Sequence, residues 1–152
     1  MNERWYPHVT VAAIAVKDGK YLLVKEIIEG VSVINQPAGH VEKGETLEQA
    51  VTRETVEETG WSFEPIYISG IYQYVAPNGE TYSRFTFFGE LANYDAQAPL
   101  DSEIEQIIWM DRSDMSVHPG LRSQSVLRCV EDYENGQQYP LNTVRQIVER
   151  QS

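Results

Sequence analysis

A layered α/β arrangement is the fold class that this sequence predicts, and three observations predict it. Short β-branched and aromatic runs are separated by Gly, Asn and Asp turn signals, in pairs spaced as hairpins. Between the pairs lies one segment with helical start and stop signals, Thr46 to Gly60. The 152 residues are 41% hydrophobic and 23% charged, ordinary for one globular unit. A chain of that length buries about two-thirds of its extended surface and needs no disulfide or structural zinc, neither of which Cys129 alone could supply. No repeat, low-complexity stretch or Pro/Gly/Ser-rich linker divides the sequence, so a single domain over residues 1–152 is expected.

Taken in order, His8 to Val16 is β-branched and apolar, Asp18-Gly19 is a hairpin turn signal, and Lys20 to Glu26 is the returning strand. In the helical segment Thr46 and Gln49 fit a capping box, in which each side chain satisfies an orphan backbone N–H, and Gly60 supplies a left-handed stop. A helix over about Leu47 to Thr59 follows. Pro65 to Val75 and Glu80 to Leu91 form a second hairpin around Pro77-Asn78-Gly79, and Glu103 to Met110 is a further strand. Two more helices are expected, Leu121 to Glu134 ended by Gly136, and Leu141 to Arg150 with Leu141, Val144, Ile147 and Val148 at helical spacing.

The first helix carries the chemistry. Projected at about 100° per residue, Leu47, Ala50 and Val51 share a stripe with Glu54, Glu57 and Glu58, while Glu48, Gln49 and Thr52 take the opposite, solvent-facing side. Acids that continue a core-facing stripe are not a solvated charged face. Carboxylates at i, i+3 and i+4 on a partly buried surface repel, and drift toward the protonated form unless a cation holds them ionised. A divalent metal is the economical answer, and all-oxygen ligands suit Mg²⁺ or Mn²⁺. Arg53 either orients one carboxylate through a bidentate pair or makes an ordinary surface ion pair. In the preceding loop, Gln36 to His40, Gly39 permits a backbone that exposes a neighbouring carbonyl as another hard ligand. His40 is expected to hydrogen-bond rather than to ligate.

Gly39, Glu45, Arg53, Glu54, Glu57, Glu58 and Gly60 together match the Nudix box, G-x5-E-x7-R-E-U-x-E-E-x-G-U, over residues 39–61. A chance match of seven fixed residues is on the order of 10⁻⁸ per starting position. Thr55 and Trp61 depart from the pattern, standing where it prefers aliphatic residues. The segments 7–12, 35–40, 121–123 and 136–141 further resemble the bacterial NudJ-type phosphatases of that family. The resemblance implies an α/β/α sandwich around a mixed sheet, with a loop-helix-loop that holds Mg²⁺ against a diphosphate. It implies hydrolysis of nucleoside di- and triphosphates, hydroxymethylpyrimidine diphosphate and thiamine diphosphate. By position it makes Glu54, Glu57 and Glu58 metal ligands, the Ala38 carbonyl a backbone ligand, Arg53 an orienting partner, and Glu45 a brace for the loop, with Gly39 and Gly60 structural. Family members also recruit an acid from a loop before a tryptophan. Glu103 precedes Trp109 at such a distance, with Asp101 and Glu105 as competitors.

Diphosphate hydrolysis needs a carboxylate to take the proton of the attacking water, and Glu57 or Glu103 is the expected base. Arg84, on the strand Glu80 to Leu91, is a candidate phosphate contact. The net charge of −11 repels phosphate backbones and anionic headgroups, so neither nucleic acid nor membrane is an expected partner. Met1 to Thr10 has no apolar core of signal-peptide length, from which a cytoplasmic protein is expected, as a monomer or alternatively a dimer. Three rival functions remain. Pro77 stands where the ADP-ribose subgroup carries a proline, pointing to an ADP-sugar or dinucleotide pyrophosphatase. A non-catalytic nucleotide-binding module of the same fold is the second. The third is an acidic calcium-binding protein, which lacks a visible EF-hand loop.

Overall fold

The computed structural model describes residues 3–151. Residues 1, 2 and 152, on which parts of the N-terminal and single-domain expectations fall, lie outside the described residues. Among the described residues, eight strands form two four-stranded sheets. In the first, β1 (His8–Ile14) is flanked by β5 (Ala38–His40) and β7 (Thr81–Tyr94), and β6 (Trp61–Val75) closes the order β5-β1-β7-β6. Only β1 and β7 run parallel, which makes the sheet mixed. In the second, β3 (Lys20–Ile28) pairs antiparallel with β2 (Val16–Lys17), β4 (Val31–Asn35) and β8 (Ile104–Met110).

Helices cover both sides. On one, α1 (Leu47–Thr59) packs Ala50 and Val51 against Val11, Ala13, Leu22, Ile68 and Phe87. On the other, α2 (Arg112–Val117) and α3 (Gln124–Glu134) pack Met115, Val126, Cys129 and Val130 against Ile14, Tyr21, Leu23 and Ile34. The expected α/β/α sandwich is therefore the observed architecture. Strand alternation produces the two cores: neighbours such as Leu22 and Leu23 point to opposite faces and feed one each.

Several elements differ from the sequence expectation. The first hairpin turns at Asp18 (φ 52°) and Gly19 (φ 76°) as signalled, but His8 to Val16 is split between the sheets: β1 pairs with β5 and β7, and only Val16–Lys17 returns against β3. The strands β4 and β5 and the six-residue α2 were not anticipated. The third helix starts at Gln124 rather than Leu121, because Gly120 and Arg122 are tied by backbone bonds to Ile34 of the strand β4 and Ser123 caps the helix. The helix expected over Leu141 to Arg150 is absent. A single 3₁₀ turn, Leu141–Thr143, is followed by extended Val144, and Ile147 and Val148 are exposed. A short amphipathic stripe with no surface to cover does not hold a helix.

Candidate active site

The carboxylates are positioned by α1, whose start is fixed by the capping box. Thr46 Oγ1 accepts from the Gln49 amide at 3.1 Å and Gln49 Oε1 accepts from the Thr46 amide at 2.9 Å. Gly60, at φ 75°, ends the helix, and a β-carbon there would also meet the Asp95 carbonyl. The loop beyond is stapled to the helix end: the Asp95 amide donates to Gly60 O and the Asp101 amide donates to Glu57 O. That second bond carries the Asp101 side chain to the helix.

One oxygen each of Glu54, Glu57 and Asp101 lie within 4.8 Å of one another. The structure thus brings together two of the three expected helix ligands with Asp101, the competitor of Glu103. The Glu103 carboxylate is outside that group and acts on Glu26 instead, while Glu105 is skipped by a bulge opposite β3 and accepts from Ser32 Oγ at 2.6 Å. Glu58 lies behind, 3% exposed, with Oε1 accepting the Ala38 amide at 3.1 Å. Burial pushes its carboxyl up to about 9, the Ala38 bond opposes this, and Glu26, Glu54 and Asp101 add to it. Glu54 is also raised, first by burial, against the pull of Arg53. The buried stripe of α1 is centred on Val51, Thr55, Glu58 and Thr59, so the assignment of Thr52 to the solvent side is corrected: its hydroxyl donates to Phe63 O at 3.1 Å.

Arg53 makes more than a surface pair. Nε donates to Glu45 Oε2 at 2.6 Å, Nη2 to Glu45 Oε1 at 2.9 Å and to His40 O at 3.1 Å, and Nη1 to Glu54 at 2.8 Å and Glu57 at 3.0 Å. Glu45 Oε1 also accepts the Glu42 amide, and Arg53 holds the Glu45 carboxyl below the ordinary carboxylate range. One planar guanidinium therefore ties the loop before the helix to two carboxylates on it. Gly39 is required by space. A β-carbon at that position would fall on the Glu54 carboxyl group.

His40 meets its expected part: Nε2 lies 3.1 Å from Nδ1 of His8, whose Nε2 is 2.7 Å from Glu80. Partial burial, then His8 and Arg122, push the His40 imidazole down. Arg84 is buried on β7, donating from Nη2 to Gln36 Oε1 at 2.6 Å. Two residues without a sequence-based role, Glu26 and Arg122, meet beside these at 3.6 Å. The signal for Glu26 was present: an acid two residues on from Val24 and four from Leu22, in phase with them on a strand whose run Tyr21–Val24 is apolar at both faces. An open cleft of about 760 Å³, walled by Tyr72, Tyr74, Leu121, Ser123 and Leu127, holds none of the clustered carboxylates. Leu121 and Ser123 on its wall flank Arg122 in the chain, the residue that pairs with Glu26.

The clustered oxygens form a hard donor set, which fits a small divalent cation. Residues 6–128 match the model of the NUDIX domain. Phosphatase NudJ of Escherichia coli strain K12 is 40% identical over 138 residues, spanning 91% of this chain and 90% of the relative. A NUDIX hydrolase structure from Nitrosomonas europaea superposes with a TM-score of 0.91 at 43% identity, over 93% of this chain and 98% of that one. A MutT NUDIX hydrolase from Burkholderia pseudomallei shares the fold at a TM-score of 0.72 and 23% identity, covering 84% and 98%. Helix register, arginine brace and these likenesses agree, and the chain belongs to the Nudix hydrolase family, enzymes that cleave diphosphate bonds.

Proposed function

We propose that this chain, as one cytoplasmic domain, is a Mg²⁺-dependent hydrolase of small-molecule diphosphates. Hydroxymethylpyrimidine diphosphate, thiamine diphosphate and nucleoside di- and triphosphates are its substrates. Mn²⁺ can replace Mg²⁺. The observation that carries the reading is the convergence of Glu54, Glu57 and Asp101 around one point, braced by Arg53. The Glu54, Glu57 and Glu58 carboxylates and the Ala38 carbonyl would hold the ion. When bound, the ion neutralises diphosphate oxygens and makes a water more acidic.

The chain's own residues do the rest. Arg53 fixes the Glu54 and Glu57 oxygens, so little reorganisation is needed when charge develops on the substrate. Glu57 or Glu103 takes the proton of the attacking water. Arg84 contacts phosphate. The acidic surface disfavours nucleic acid and anionic membranes, and the protein acts as a monomer. The ADP-sugar alternative rests on Pro77, which with Asn78 and Gly79 turns β6 into β7, with Gly79 at φ 87° and Asn78 Oδ1 accepting the Glu80 amide.

A substrate panel in ¹⁸O-water tests the reading. Orthophosphate released from thiamine diphosphate and nucleoside diphosphates, abolished by EDTA and reduced at least about a hundredfold by Glu57→Gln, is expected. Full activity in EDTA would sink the metal assignment. Label confined to AMP from ADP-ribose, with no orthophosphate from the diphosphates, would favour the nucleotide-sugar activity.

A further inference from the structure

Arg84 is a buried cation without a carboxylate. It is 8% exposed, its Nε has no hydrogen-bond partner, and Nη2 reaches only the amide oxygen of Gln36. Among the described residues it makes no ion pair, in a chain of net charge −11. Gln36 is 1% exposed and anchored from behind, its Nε2 donating to Val126 O at 2.6 Å, so the guanidinium is held in place by a neutral group. A buried charge left in that state is costly unless an anion completes it.

Arg122 stands nearby on a rigid mount. Its amide donates to Ile34 O, and the Ile34 amide donates to Gly120 O, both at 2.8 Å. The guanidinium is partly exposed, makes no side-chain hydrogen bond among the described residues, and has one ion pair, to Glu26 at 3.6 Å, beyond hydrogen-bond reach. Both arginines act electrostatically on Glu26, and Glu26 acts in turn on Glu58. Beside Glu26 lies Asn35, whose buried Oδ1 is the other side-chain atom without a partner. Two guanidiniums with free donors therefore share the field of one carboxylate, Glu26, which also acts on Glu58 of α1.

We propose that Arg84 and Arg122 form a clamp for the phosphate that faces away from the acid cluster, and that Glu26 holds Arg122 in that phosphate's place until substrate enters. The proposal rests on the diphosphate reading and narrows its substrate class. The unit recognised is a pair of adjacent phosphates, one neutralised at the acids and one by the arginines. The organic group then leaves over the cleft of Tyr72, Tyr74 and Leu121, where it is only loosely selected.

Methylenediphosphonate, whose bridging carbon resists hydrolysis, is titrated calorimetrically into the full chain with saturating Mg²⁺. Arg122→Ala is expected to weaken binding roughly tenfold to a hundredfold, as loss of a charge-assisted contact does, with Arg122→Lys recovering part. Arg84→Gln should weaken it similarly. Because that buried site can fail to fold, the partly exposed Arg122 is decisive. Mg²⁺ titrated alone should bind wild type and Arg122→Ala equally, and Glu26→Gln should tighten the diphosphonate severalfold by freeing Arg122. Unchanged diphosphonate affinity in Arg122→Ala, or an equal loss for Mg²⁺ alone, overturns the clamp; weaker binding in Glu26→Gln overturns the place given to Glu26. Wild type that binds through Arg122 yet cleaves no diphosphate would retire the hydrolytic reading and leave the clamp standing. Turnover with unimpaired binding in Arg122→Ala would do the reverse.

Discussion

Glu58 offers a quantitative check on how the acid cluster is held without metal. Its carboxyl is 3% exposed and sits at about 9, against 4.5 for a free glutamate. The folded value is the raised one, so below about pH 4.5 the group is neutral in both states and costs nothing. Above that, the unfolded chain loses the proton and the folded chain keeps it, and stability falls with rising pH until the folded group ionises near 9. At pH 7 the interval traversed corresponds to on the order of 3 kcal/mol. Glu58→Gln retains an oxygen for the Ala38 amide and has no proton to lose. In EDTA at pH 7 it should therefore melt roughly 6–12 °C above wild type, with the difference nearly gone at pH 5. Added Mg²⁺ should stabilise wild type increasingly toward pH 8.5 and stabilise the variant far less. Melting curves at the three pH values with EDTA or Mg²⁺ decide it. A metal-free wild type equally stable from pH 5 to 8.5, or a variant less stable than wild type in EDTA at pH 7, would refute the reasoning.

Arg53→Lys replaces a five-contact planar fork with a point charge, and should cost about 2–4 kcal/mol in denaturant titrations and most of the activity, despite the retained charge. Gly39→Ala should displace the Glu54 carboxyl group and weaken Mg²⁺ in a direct titration. Glu103→Gln is expected to lower kcat with an unchanged melting temperature; wild-type kcat there, with Asp101→Asn slow instead, would move the role to Asp101.

How much of this was legible depended on whether the determining interaction was local. The helix Leu47–Thr59 was read to the residue because its cap, its stop and its acids all lie within the segment. The hairpin turn at Pro77-Asn78-Gly79 was readable for the same reason. The turn from β3 to β4 escaped notice, since its first left-handed position is Glu29 at φ 50°, a residue that gives no such signal. Whether Val16 belongs with β1 or returns against β3 depends on which sheet edge is vacant, a fact that no window of sequence contains. The same holds for the site. Spacing put Glu54, Glu57 and Glu58 on one stripe, but Asp101 joins Glu54 and Glu57 from a distant loop and Arg122 reaches Glu26 across 96 positions of chain, where only the pairing of residues 120–122 with Ile34 makes them neighbours.

The register of α1 also explains why three carboxylates in one stripe are not equivalent. With Leu47 as origin and about 100° per residue, Glu58 falls at about 20°, Glu54 at about 340°, Glu57 at about 280° and Arg53 at about 240°. Val51 and Thr55, both fully buried, fix the inward direction between about 40° and 80°. Among the three glutamates exposure rises as the angle moves away from it: Glu58 is 3% exposed, the Glu54 side chain 12% and the Glu57 side chain 42%. The i, i+3, i+4 spacing thus sets carboxylates at graded depth along one face. Arg53, immediately before Glu54 and four before Glu57, lies just beyond the exposed end, where one guanidinium reaches both and Glu45 of the loop. Glu58 at the buried end has only the Ala38 amide, too little to offset burial, so its carboxyl alone of the three is pushed up to about 9.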